Sequence, residues 1–298
     1  MCLNSNNSTS SINISGQDYL HLALELYEKF NGYLIEFTDS IHSDSVEIEF
    51  WKKYFEIQLA KFSINSASAI KLIKEGTSLK SSILNQTDIT DISSIFNIAR
   101  SLIENYAMIY YLNFEPNDKE GLFRYLLYTG VGLQNRQQYK TGSSIDIKNK
   151  QQEEKLKLED IIYKIKENNY FKSLSSKDQS FYLKNEKLNL PNISRLIQNS
   201  NLNPDIFFSQ WKLFSNHAHS ELIGMIQFQL YATNKESTCN TMRTTINTLM
   251  ILLCKLIMLL VNRYPSISTK FKKIPHVEQM IILKHNDIGD KNHNNLDY

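Results

Sequence analysis

Four polar side chains in one short stretch have the types and spacing for acid–base or phosphate chemistry. They are Lys212, Ser215, Asn216 and His219, within FFSQWKLFSNHAHSE over 207–221. On an α-helix these positions, at i, i+3, i+4 and i+7, share one face, and Lys212 and His219 lie about 10 Å apart along it. A histidine so placed can act as general acid or base, and a lysine beside it can meet a phosphate. The same residues also suit a plainer role, a satisfied polar stripe that fixes one helix against another. A second pair, Arg100 and Glu104, stands four residues apart in NIARSLIENYAMIYYL over 97–112, a segment otherwise apolar round most of a helix. Burying either charge alone is costly, so the two must pair or meet partners from another helix. Arg preceding Glu is the weaker order for a local pair, which points to outside partners.

His217-Ala218-His219 followed by Glu221 is suggestive of a metal site. Side chains two apart on a helix diverge, however, so chelation would need an extended segment, and no metal is expected. The chain has no Walker loop, no dinucleotide GxGxxG, no HExxH and no GxSxG, so no cofactor is implied.

The elements that must position these residues read as helices. Only nine glycines and five prolines among 298 residues, with 42% hydrophobic residues, point to an all-α, multi-helix bundle with an irregular, partly helical insertion. Periodicity predicts helices over about 17–40, 45–74, 87–112 and 118–139, then a highly charged one over 147–169. In the second, Phe50, Tyr54, Ile57 and Phe62 form the expected inner side, and Gly76 a C-terminal cap. The third, apolar on most sides, should be central. Gly130 and Gly132 in the fourth suggest a close helix contact or a kink. Residues 141–204 read as a variable insertion, the charged helix followed by short helices or loops over 170–204. Asn203-Pro204-Asp205 then starts the helix that bears the polar stripe. The segment 244–261, TTINTLMILLCKLIMLLV, approaches a membrane span in length, but Asn247 and Lys255 interrupt it and it reads as the last buried core helix, with no membrane expected. Residues 1–16 and 284–298 read as disordered tails flanking one helical domain over 17–283, with His285 and His293 solvated.

A net charge of +2 gives no whole-molecule field for non-specific nucleic-acid binding, so an RNA role needs a local site. Three widely spaced cysteines suit neither a disulfide framework nor a structural zinc, and a reducing cytoplasm is the simplest home.

The succession SAIKLIKEG, IARSLIENYAMIYYL and WKLFSNHAHSE resembles a family of uncharacterised bacterial helical proteins known as a domain of unknown function, over roughly residues 66–260. That resemblance implies Arg100, Glu104, Ser215 and His219 as recurrent polar residues. More distantly, the late helix is similar to the HEPN superfamily, where an Arg, four to six intervening residues and a His carry metal-independent RNA cleavage, commonly across a dimer. Here Lys212 stands in the Arg position, with His217 or His219 at the matching spacing; a lysine lacks the bidentate grip on phosphate. The resemblance implies a ribonuclease or RNA-binding protein of the toxin or phage-defence kind, with RNA as partner and a homodimer in view. The alternative is a non-catalytic helical protein that binds a protein partner, its polar residues forming a buried network that fixes helix register.

Overall fold

The computed structural model describes residues 16–43, 48–78, 88–139, 144–218 and 222–290. Within these the chain is all-helical apart from two short hairpins. Helix α1 (Gly16–Ser43) is followed by one 3-10 turn (Phe50–Lys52), α2 (Phe55–Glu75), and the strand pair β1 (Thr77–Ser78) and β2 (Asp88–Ile89). Then come α3 (Ile92–Asn113), α4 (Asp118–Gln137), α5 (Ile145–Glu167), α6 (Asn169–Ser173) and α7 (Ser176–Tyr182). The hairpin β3 (Leu183–Lys184) and β4 (Lys187–Leu188) leads to α8 (Ile193–Asn199), α9 (Pro204–Ala218), α10 (Leu222–Thr233), α11 (Lys235–Arg263), α12 (Pro265–Phe271) and α13 (His276–Ile288).

Two apolar cores organise these elements. The larger is built by α1, α2, α3, α8, α9 and α11–α13 around fully buried aromatics such as Tyr27, Phe30, Phe62, Phe96 and Phe214. Each such side chain contributes about 1.5–3 kcal/mol by leaving water. Helix α3 is its axis, as the all-round apolar pattern predicts: Ile95, Phe96, Ala99, Leu102, Ile103, Tyr106, Ala107 and Ile109 are all fully buried. Asp91 caps it, its carboxylate accepting from the Ser94 amide. At the end of α2, Gly76 takes a positive φ of 64°, as expected of a capping glycine.

The smaller core belongs to α4–α7 and the second hairpin, with Phe123, Leu126, Leu127, Ile162, Ile165, Phe171 and Leu188 buried. Gly130 of α4 lets this lobe close, since a Cβ there would come within 2.4 Å of Leu188. Gln134 adds its side chain to β4 as a strand would, donating to the Leu188 carbonyl and accepting from its amide. Buried Arg124 ties the lobe to the bundle: it pairs with Glu115 and Glu120, donates to the Tyr111 carbonyl of α3, and stacks over the Tyr111 ring.

Several expectations need correcting. The second helix does not begin near residue 45: it starts at Phe55, after the 3-10 turn. Phe50 and Ile57 are exposed, and the buried stripe is Phe55, Leu59, Phe62, Ala69 and Ile70. In the insertion the charged helix runs over Ile145–Glu167, as its pattern predicts, and what the pattern does not predict is the hairpin over 183–188. Helix α11 is buried over 83% of its apolar window but is not the last; it is alone among the described residues in being long and apolar enough to cross a membrane. The polar C-terminal region does not begin a tail at Lys284, since α13 runs to Ile288 and half-buried His285 is bonded to the Ile281 carbonyl. The expected tail segments 1–15 and 291–298 lie outside the described residues.

The end of α13 clasps the start of α9. Leu202 forms a β-bridge with Asp290, and the Asn203 amide donates to the Gly289 carbonyl at 2.9 Å. Buried Lys255 of α11 closes the clasp on the Asn286 carbonyl and Asp290.

Candidate functional site

Helices α3 and α9 cross antiparallel, and of the polar residues singled out by spacing Arg100 and Glu104 fall along their seam. Asn203 starts α9 by accepting from the Asp205 amide, and Phe207 and Phe214 then bury completely. At the α9 start, the Tyr106 hydroxyl donates to Asn201 Oδ1 at 2.7 Å. Midway, Arg100 Nε donates to Glu104 Oε1 at 2.9 Å, and Trp211 Nε1 of α9 donates to the same oxygen at 2.9 Å. At the far end Phe96 packs on Phe214, with ring centroids 4.9 Å apart, and edge-on against His217. Arg100 and Glu104 thus do both things that spacing allowed: they pair locally and also meet another helix.

His217, not read from sequence as part of the polar stripe, is built into this seam. It is buried, with Nδ1 at 3.4 Å from Ser93 Oγ and Nε2 at 3.0 Å from Gln227 Oε1 of α10. Burial pushes its pKa below the ordinary value, against the bond to Gln227, which raises it. A neutral imidazole with both nitrogens engaged orients helices, and it offers no nitrogen to a substrate.

The remaining expected site residues divide. Ser215 donates back to the Trp211 carbonyl of its own helix at 2.7 Å. Lys212 is exposed, with Nζ 5.7 Å over the Phe208 ring, and is not joined to Arg100 or Glu104. Asn216 is half-buried near the end of α9, where its carbonyl lies against Gly224. His219 and Glu221 lie outside the described residues, between the end of α9 at Ala218 and the start of α10 at Leu222. Among the described residues no group of three His, Cys, Asp or Glu could hold a metal.

Glu104 also faces a second feature. A cleft of about 590 Å³ opens where α2, α3 and α4 meet, and Glu104, Asn105, Ser101, Gln58 and Lys61 line it beside Tyr54 and Tyr128. The amides of its floor are ordered: Asn105 donates to the Gln58 carbonyl, and Asn113 to Gln58 Oε1. The sequence signal that could have found this site was Asn105 and Gln58, polar residues in register with apolar stripes. Comparison with protein-family models, curated proteins and solved structures gives no match, so no residue role is carried over from a relative.

Proposed function

We propose that the protein is a non-catalytic helical binding protein, in which the polar residues between α3 and α9 hold helix register and do not perform a reaction. The observation that carries this reading is the pairing across the seam. Glu104 is held by Arg100 and Trp211, and His217 is buried between Ser93 and Gln227. Networks of this kind specify one packing arrangement, because a displaced helix would leave several polar groups unpaired at once.

One observation favours a second reading, an RNA-binding protein or metal-independent ribonuclease of the HEPN-like, defence-related kind. Arg100 lies over Trp211 at 5.6 Å, Trp211 stacks on Phe208 at 6.0 Å with an angle of 17° between the rings, and Lys212 lies over Phe208. Alternating cations and aromatic rings are the chemistry that holds stacked bases and phosphates.

The test is incubation of purified protein with single-stranded RNA in excess EDTA, wild type beside His219→Ala, Lys212→Ala and His217→Ala, with thermal melts on each. The register reading expects no cleavage and no RNA retention, with a large fall in melting temperature for His217→Ala and almost none for Lys212→Ala. Cleavage that disappears in folded His219→Ala and Lys212→Ala would overturn it in favour of the nuclease.

A further inference from the structure

The cleft between α2, α3 and α4 carries two opposite charges that face one cavity without touching each other. Asn65 of α2 bonds Ser101 of α3, and the Gln58 carbonyl of α2 accepts from Asn105 of α3. Lys61 lies between those two contacts along α2, at the level of the turn that bears Glu104. Both side chains line the cleft, yet they form no ion pair, and Lys61 has no ion-pair partner among the described residues. The Glu104 side chain keeps 40% of its surface exposed, and among the described residues both of its hydrogen bonds fall on Oε1. Oε2 remains an acceptor for a donor within the cleft. The remaining wall is apolar, formed by Met108, Val131, Leu133 and Leu190.

We infer that this cleft binds a small zwitterion of the amino-acid type with a large apolar or aromatic side chain. The ammonium group meets Glu104 Oε2, the carboxylate meets Lys61, and the side chain lies on Met108, Val131, Leu133 and Leu190. A purely cationic ligand is disfavoured because Lys61, together with Arg100 on Glu104 Oε1, would repel it. A purely anionic ligand is disfavoured by the Glu104 carboxylate. Only a ligand carrying both charges satisfies both walls, and the volume falls in the range of small-molecule sites. This deepens the reading of a non-catalytic binding protein by giving it a ligand class.

Gly132 supplies the decisive variant. It lines the cleft on α4, and a Cβ built on it meets nothing within 4 Å. Gly132→Leu therefore puts a side chain into open space without a clash, and replacing a helical glycine supports the helix. The experiment is isothermal titration of the full chain with L-tryptophan, L-phenylalanine, L-tyrosine, L-methionine and L-leucine. The best binder is then compared with its N-acetyl and carboxamide forms. Expected is saturable one-site binding of at least one of these acids at or below about 1 mM, weakened at least about tenfold by either cap, by Glu104→Gln and by Lys61→Gln, and abolished by Gly132→Leu. Lys61→Gln and Gly132→Leu should retain the wild-type melting temperature or exceed it, which separates loss of site from loss of fold. Absence of saturable binding for all five acids, or binding indifferent to the caps or to Gly132→Leu, overturns the inference. Lys61→Gln and Gly132→Leu stand away from the α3–α9 bonds, whereas Glu104→Gln also touches them, so the first two variants keep failure here distinct from the RNA and melting tests of the seam.

Discussion

The bundle around α3 and the lobe of α4–α7 solve the same problem in different ways. The bundle draws its core from segments far apart in the chain, α1 against α11 and α3 against α9, and its buried side chains are mostly large and apolar. The lobe is one stretch, 118–188, with a much smaller apolar core. It compensates with directed bonds: Arg124 to three acceptors, Tyr170 to Glu120, and Gln134 to both polar groups of Leu188. Where apolar area is scarce, geometry is held by hydrogen bonds, which are lost singly and locally. The cleft lies on the line between these two kinds of construction.

The comparison breaks first at its strongest points. Phe96→Ala removes a fully buried ring that packs on Phe214, His217 and Tyr231. It should cost about 3–5 kcal/mol in denaturant unfolding and lower amide protection throughout the bundle. Arg124→Ala leaves Glu115 and Glu120 without their cation and should cost about as much, roughly 3–5 kcal/mol. Its signature differs: hydrogen exchange should rise over 118–188 first while α3 and α11 stay protected. Uniform loss of protection would mean that the two regions unfold as one.

Acid should separate them as well. Folded His217 and His285 have pKa values held below the ordinary 6.5 by burial, so the unfolded chain takes up protons that the folded chain resists. Stability therefore rises with pH through the window below 6.5 and is lost as pH falls through it. Residues 118–188 contain no histidine, so melts recorded as pH falls toward 5 should show the bundle weakening before the lobe. Below about pH 4.5 a further loss should begin, because Glu278, bonded to Lys29 and Tyr33, and Glu49, bonded to Lys52, have lowered pKa values. His217→Gln should reduce the pH slope between 5 and 7; an unchanged slope would remove His217 from the account.

The smallest effect has the opposite sign. Thr129 Oγ1, on α4 beside the cleft, is buried without a hydrogen-bond partner among the described residues. Thr129→Val keeps the shape and should stabilise by about 1 kcal/mol, read as a rise in denaturant midpoint with an unchanged slope.

Much of the bundle was legible because its signals are periodic and strong. The all-round apolar pattern of α3 placed it at the centre, Gly76 marked the end of α2, and the Arg100–Glu104 spacing required partners that Trp211 now supplies. The failures have specific causes. Phe50, Tyr54 and Ile57 recur at helical spacing, but this stripe faces the lobe and the cleft, with Phe50 edge-on to Tyr125. Periodicity cannot distinguish a core from an open junction. The β3–β4 hairpin turns on Asn185 and Glu186, both at positive φ, and a glutamate there carries no turn signal. The site was legible as the Arg100–Glu104 pair on α3 and an aromatic helix after Pro204, but sequence spacing did not place His217 at Ser93, because that contact depends on the rotation of α9 against α3.

The clasp between Asp290 and Leu202 also has a consequence for how the chain is made. The lobe's elements lie within 118–188, so it can assemble while later residues are still being synthesised. The bundle cannot, because α3 is finished at Asn113 and the bridge that secures the start of α9 needs Gly289 and Asp290. At roughly 5–20 residues per second, the apolar faces of α3 wait about 10–35 s for their last partner to leave the ribosome. During that interval the nascent bundle is an exposed hydrophobic surface beside a finished lobe, and chaperone demand should track the arrival of α11 and α13, not the length already synthesised.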